Sequence, residues 1–144
     1  MQKIWQDDFY LGAALNRIVE HHSFKALNKA DKKYGHFLVN TDRRVMMKRS
    51  TAESHWQFTF LKDDLATLAA DLALPCKTYL VLVCGDKTFC LLGEEQFTQL
   101  IDLTRDNQRI VVDYEEGHSL RVTGSRPKVK LVVHHNAFPN GLFA

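Results

Sequence analysis

Apolar positions recur at helical spacing near the start of the chain. Leu11, Leu15, Ile18 and Val19 fall on one stripe, which predicts a helix over residues 7–30. Its second half has a weaker pattern that can break near Ser23. Apolar residues at helical spacing predict two further helices over 62–72 and 94–103, and Pro75 follows the first of them.

Short apolar stretches separated by polar turns predict strands. Residues 78–84 are almost continuously apolar, which is typical of a strand covered on both faces. Residues 56–60 alternate between apolar and polar, as in a strand with one buried face. The predicted strands are 35–40, 44–49, 56–60, 78–84, 88–92, 109–114, 120–123 and 129–133. This order of elements predicts an α/β (α+β) fold, with a central mixed β-sheet flanked by helices.

Length and composition suit a globular protein. A chain of 144 residues fits a single domain, 1–144. No apolar run approaches the roughly 20 residues of a membrane-spanning helix, and the first residues lack the apolar core of a signal peptide. We therefore expect a cytoplasmic protein with no membrane partner. The three cysteines match no zinc-site spacing and are expected to be buried packing residues.

The charged residues are unevenly distributed, although the net charge is only +2. Eight basic residues lie between Lys25 and Arg49, acids dominate from Glu94 to Glu116, and the chain is basic again after Ser119. A basic surface can bind an anionic partner, although a set of solvated faces explains the same pattern. The candidate nucleic-acid-binding residues are Lys29, Lys32, Lys33, Arg43, Arg44, Lys48 and Arg49.

Two apolar segments around a polar turn carry a resemblance to a known family. They are Gly35-His36-Phe37-Leu38-Val39 and Val45-Met46-Met47-Lys48-Arg49-Ser50-Thr51. This run resembles the catalytic hairpin of the PD-(D/E)XK superfamily, which implies a restriction-endonuclease-like fold. In that family, an Asp and a Glu on the hairpin hold Mg²⁺, and a Lys positions or activates the attacking water.

The chain departs from this motif at both metal-binding positions. His36 stands where the family has Asp, and Met46 stands where it has Glu. A thioether is a poor ligand for Mg²⁺, and an imidazole suits softer metals. Lys48 is the remaining catalytic candidate, and Glu20 on the first helix is expected to be a solvated acid. No cofactor is expected, and Mg²⁺ enters only if the chain is a nuclease with relocated ligands.

These observations predict a nucleic-acid-binding protein on a nuclease-like fold with a degenerate metal site and no catalysis. One alternative is a protein-interaction subunit of a phage, plasmid or defence assembly. The other is a metal-dependent nuclease with relocated ligands. Nucleic acid is the expected partner, with a protein partner or a homodimer as alternatives. Both chain ends carry large apolar residues, including Trp5, Phe9 and Phe143, which pack on the core or enter a partner. The choice between DNA and RNA stays open.

Overall fold

The computed structural model describes residues 3–144. The helices are α1 (Gln6–Val19), α2 (Lys62–Leu72), α3 (Glu94–Leu100) and the short α4 (Ala137–Asn140). The strands are β1 (Leu27–Lys29), β2 (His36–Val39), β3 (Arg43–Ser50), β4 (His55–Phe60), β5 (Lys77–Cys84), β6 (Thr88–Gly93), β7 (Gln108–Asp113), β8 (Leu120–Gly124) and β9 (Lys130–Val133). A single 3-10 turn, Gly141–Phe143, follows α4.

The strands form two sheets. The first has the order β1-β2-β3-β5-β6 and is mixed, because β3 and β5 are parallel while the other pairs are antiparallel. This sheet confirms the predicted fold class. The second has the order β4-β7-β8-β9 and is entirely antiparallel. Helices flank the first sheet as predicted, with α1 on one face and α2 and α3 on the other, and the second sheet packs on that same other face.

Side-chain alternation explains why the second sheet packs against the first. Trp56, Phe58 and Phe60 point inward from β4, while the intervening residues are exposed. They share one core with Met46 and Leu80 of the first sheet, and with residues of α2 and α3. Burying this apolar face is the main stabilisation that the second sheet gains. Its other face remains exposed to solvent.

Helix α1 covers the opposite face of the first sheet. Leu11, Ala14 and Ile18 are buried there against alternate residues of β3 and β5, which include Val45 and Val81. Since successive strand residues point to opposite faces, Met46 faces the second sheet and Met47 faces α1. The layers therefore run from α1 through the five-stranded sheet to the four-stranded sheet.

The prediction of a helix over residues 7–30 is wrong after residue 19. The Asn40 side chain holds the chain after α1 in a non-helical path, because its Oδ1 accepts hydrogen bonds from the backbone N–H groups of Lys25 and Ala26. Leu27–Lys29 then forms β1, which pairs with β2 at the edge of the first sheet. The hydrogen bonds to Asn40 and the pairing of β1 with β2 therefore determine the conformation of this segment, in place of its weak helical pattern.

Several smaller expectations have clear outcomes. Helix α3 ends at Leu100 rather than at 103. Cys84 and Cys90 are buried as predicted, and Cys76 is half-buried. The carboxyl-terminal tail packs on the core through Phe138 and Leu142. Within residues 3–144, no helix is both long enough and apolar enough to cross a membrane.

Candidate nucleic-acid interface

The hairpin singled out from sequence is present, and its register can be read directly. Strand β2 pairs with β3 so that His36 lies opposite Met46. Lys48 lies two residues further along β3, on the same face as Met46. His36 is 1% exposed and Met46 is 2% exposed, so the two positions where the family has metal ligands are closed to solvent.

The buried His36 ring lies between two carboxylates, of which Asp71 is buried and Asp31 is exposed. Its Nε2 lies 2.6 Å from Asp71 Oδ2. Its Nδ1 lies 2.9 Å from Asp31 Oδ1, but the two groups are not aligned for a hydrogen bond. Arg44 donates to the other oxygen of Asp71 at 3.2 Å. Asp71 comes from the last turn of α2, where sequence analysis identified no functional residue. An acid near the end of an amphipathic helix gives no signal that it will be buried.

Lys48 is also held by an internal partner. Its Nζ donates to Asp64 Oδ2 at 2.8 Å and lies 5.0 Å from the centre of the Phe60 ring. Lys33 lies 2.9 Å from the other Asp64 oxygen and 2.6 Å from Asp63. Burial alone would raise the pKa of Asp64, but the hydrogen bonds from Lys48 and Lys33 outweigh it and hold that pKa below 3.8. Lys33, Lys48 and Asp64 line a cleft of about 240 Å³ that Arg49 and Tyr34 also border.

The hairpin residues do not fit a Mg²⁺ site. Mg²⁺ prefers oxygen ligands in octahedral geometry, whereas His36 offers a buried ring nitrogen and Met46 a sulfur in the apolar core. The carboxylate nearest to Lys48, that of Asp64, accepts hydrogen bonds from two lysines. Within residues 3–144, no group of three or more His, Cys, Asp and Glu side chains is placed to hold a metal ion. We derive no metal-dependent step for this chain.

Most of the basic residues predicted to bind nucleic acid already have acidic partners. Arg49 pairs with Asp7 at the start of α1, and Arg43 pairs with Asp42 and donates to the Leu142 carbonyl. Five of the seven candidates are paired in this way: Lys33, Arg43, Arg44, Lys48 and Arg49. Lys29 and Lys32 are exposed and have no acidic partner within the part of the chain that the structure describes. The role of the seven in binding stays a prediction.

A second basic surface lies on the solvent side of the four-stranded sheet, here called the outer sheet face. It is formed by the outward residues of the four strands: His55, Gln57, Thr59, Arg109, Val111, Asp113, Arg121, Thr123, Lys130 and Val132. Arg109, Arg121 and Lys130 are exposed, and no described carboxylate lies within 4 Å of them. The one acid on this face, Asp113, pairs with His55.

The spacing of these three cations follows from strand register. Arg121 lies opposite Val132, so Lys130 is one strand over and two residues along from it. With strands about 4.8 Å apart and a rise of about 3.3 Å per residue, their backbones are about 8 Å apart. By the same geometry, Arg109 lies about 14 Å from Arg121 and about 12 Å from Lys130. The group fits within half of the roughly 34 Å helical turn of a nucleic-acid duplex.

Sequence analysis found part of this surface. It noted the basic stretch after Ser119, but it gave Arg121 and Lys130 no role and left out Arg109. Alternation within each strand shows which residues share a face, but the sequence does not show which strands are neighbours. Arg109, Arg121 and Lys130 share one surface only because β8 lies between β7 and β9 in the second sheet.

Comparison with family models, with curated proteins and with solved structures found no match for this chain. The fold class is therefore established by the structure alone. The nuclease resemblance rests on the hairpin and stays a prediction.

Proposed function

We propose that the chain is a nucleic-acid-binding protein without catalysis, and that the outer sheet face contacts the phosphate backbone. One observation carries the proposal: Arg109, Arg121 and Lys130 are exposed on an uncovered sheet face with no acidic partner among the described residues. Each is free to neutralise a phosphate without first breaking an internal ion pair. Release of counterions from nucleic acid would supply the binding free energy.

The same argument makes the hairpin a weaker candidate. A phosphate at Lys48 has to compete with Asp64 at 2.8 Å, and a phosphate at Arg44 has to compete with the buried Asp71. Removing the cation weakens the pairing of these carboxylates, because Asp71 then keeps only His36 and Asp64 keeps only Lys33, and weakening a largely buried ion pair costs free energy. The outer sheet face carries no such cost.

The proposed contact tolerates different base sequences. The outward residues of the four described strands include no Phe, Tyr or Trp on which bases could stack. Contacts to phosphates fix position and provide affinity that depends on salt, but they do not read bases. We therefore expect weak binding to both DNA and RNA, with little dependence on sequence.

Binding and its location are tested with charge-matched variants. Fluorescence anisotropy with labelled single-stranded and duplex DNA and RNA at low salt measures the affinity of the wild-type chain. The test variant carries Arg109→Gln, Arg121→Gln and Lys130→Gln. The control carries Lys25→Gln, Lys29→Gln and Lys32→Gln, so both variants lose three positive charges from exposed positions. The proposal expects a large loss of affinity in the test variant alone. Equal losses, or no binding by the wild type, would contradict it.

A cleavage assay tests the nuclease hypothesis separately. Incubation of labelled substrates with Mg²⁺ or Mn²⁺ is expected to give no cleavage above background, because His36 and Met46 occupy the ligand positions. Cleavage that disappears in Lys48→Ala would instead establish a nuclease with relocated ligands.

A further inference from the structure

Residues 31–34, here called the strap, lie between β1 and β2 and form one side of the cleft that contains Lys48. Two of them, Lys33 and Tyr34, line this cleft. None of the four strap residues is buried, and the two hydrophobic cores of the described chain include none of them. A segment with so few buried apolar contacts can open locally while the rest of the domain stays folded.

Both ends of the strap are fixed to the first sheet. The Ala30 N–H donates to the His36 carbonyl at 3.1 Å, and the Gly35 carbonyl accepts from the Met47 N–H at 2.8 Å. Gly35 has a φ of +78°, and a Cβ at this position would lie 2.8 Å from the Met47 carbonyl oxygen. The position therefore requires glycine, and its backbone is held tightly against β3. Any opening is confined to the four residues between these ends.

Three polar contacts hold the closed strap in place. Asp31 Oδ1 lies 2.9 Å from His36 Nδ1, and the Tyr34 hydroxyl donates to Asp8 Oδ1 at 2.8 Å. The third contact is the pairing of Lys33 with the two carboxylates at the start of α2. The contacts reach β2, α1 and α2, so each one ties the strap to a different element.

The groups that hold the strap have other partners when it opens. His36 keeps Asp71 at 2.6 Å, and Asp64 keeps Lys48 at 2.8 Å. Asp8 still accepts a backbone N–H at the start of α1 at 2.9 Å. Loss of a strap contact therefore leaves none of these three groups as an uncompensated buried charge, which is the costly outcome when a buried ion pair is broken.

We propose that the strap is a lid that opens and closes over the cleft beside Lys48, with Ala30 and Gly35 as its fixed ends. In the closed state, Lys33 is bonded to α2 and completes the wall of the cleft. In the open state, the cleft is accessible from that side and Lys33 can bind another anion. The lid does not involve the outer sheet face, so this proposal and the proposed function can fail independently.

Salt should favour the open state. The contacts of Asp31 and Lys33 join charged groups at or near the surface, and the Debye length falls from about 10 Å at 0.1 M salt to about 3 Å at 1 M. An exposed ion pair contributes little free energy, so loss of one is expected to raise the open population by about two- to fivefold.

Backbone ¹⁵N relaxation on the full chain tests the motion of the strap. The test variant combines Asp31→Asn, Lys33→Gln and Tyr34→Phe, which removes or weakens all three contacts with little change of shape. None of these positions is buried, so the variant is expected to fold. In the wild type at low salt, the order parameters of the strap should be near the value of about 0.85 for rigid backbone. In the test variant they should fall below about 0.6, the range of flexible segments.

A single substitution has a matched control on the strap itself. Lys33→Gln and Lys32→Gln each remove one positive charge, but Lys32 is exposed and has no acidic partner among the described residues. Lys33→Gln is expected to lower the order parameters of the strap, and Lys32→Gln is expected to leave them unchanged.

Access to the cleft needs a separate measurement. Met46 and Met47 line the cleft and are 2% and 4% exposed. With a neutral soluble nitroxide added, the paramagnetic relaxation of their methyl groups should be at least about twofold faster in the triple variant than in the wild type, because the open population is larger. Lys32→Gln should match the wild type.

Four results would overturn the proposal. The first is a strap that is already flexible in the wild type at low salt, and the second is one that stays rigid in the triple variant. The third is flexibility that extends through β1 and β2, because the ends would then not be fixed. The fourth is a flexible strap with unchanged relaxation of the Met46 and Met47 methyl groups, because the strap would then not cover the cleft.

Discussion

Neutralising three cations on the outer sheet face should change how binding to duplex DNA depends on salt. The perturbation is the triple variant Arg109→Gln, Arg121→Gln and Lys130→Gln. If each of the three side chains neutralises one phosphate, the slope of log affinity against log salt is about −2.7 on duplex DNA and about −2.1 on a single strand. These cations have no acidic partner among the described residues, so the variant breaks no ion pair there.

The slope converts to a measurable ratio. Raising the salt from about 50 to about 200 mM should weaken duplex binding by about 40-fold for three contacts. Contacts from Arg126 and Lys128, which lie in the loop between β8 and β9, would make the slope steeper. The triple variant should lower the magnitude of the slope by about 2.7 whatever these additional contacts contribute.

Anisotropy titrations at four or more salt concentrations provide the assay. The control with Lys25, Lys29 and Lys32 changed to Gln has the same net charge and is expected to keep the wild-type slope. A flattened slope in the control and an unchanged slope in the triple variant would refute the assignment. That result would return the binding surface to the segment that sequence analysis favoured.

Three further predictions concern the buried charges and thiols. Asp71→Asn should lower the free energy of unfolding by about 3 kcal/mol, because it weakens the contacts of His36 and Arg44 with a buried carboxylate. Urea denaturation measures this change. The control Asp86→Asn, at an exposed position, should change the free energy of unfolding by less than about 0.5 kcal/mol. Lys48→Met should cost about 1 kcal/mol at neutral pH. Since Lys48 helps to hold the pKa of Asp64 below 3.8, that difference should shrink as the pH falls below this value and the carboxylate is protonated; a difference that persists in acid would contradict the pairing. Burial raises the pKa of the Cys90 thiol to about 12 and that of Cys84 still higher, so mass spectrometry after brief alkylation should find Cys76 modified first, and early labelling of Cys90 would contradict its burial.

The sequence predicted local structure well where one pattern dominated. The alternation from His55 to Phe60 and the apolar run before Cys84 were strong enough to identify β4 and β5. The segment after Val19 was mispredicted because its conformation depends on Asn40, which lies about 15 residues away along the chain. Hydrogen bonds to a side chain that far along the sequence produce no periodic pattern in the segment itself.

The candidate site was harder to predict than the fold. Sequence analysis located the basic residues between Lys25 and Arg49, but their partners Asp7, Asp64 and Asp71 come from helices that meet the hairpin only in three dimensions. The number of basic side chains without an acidic partner on a surface depends on these ion pairs, and composition does not show which residues are paired. The outer sheet face likewise exists because β4 leaves the first sheet and pairs with β7.

Mapping the nucleic-acid contact by amide NMR on the labelled chain tests the central claim most directly. With a short duplex added, we predict that the largest chemical-shift changes and line broadening occur on β7, β8 and β9 around Arg109, Arg121 and Lys130. The hairpin from His36 to Ser50 should change little. Changes centred on Lys48 and Arg49, with the four-stranded sheet unaffected, would contradict the account.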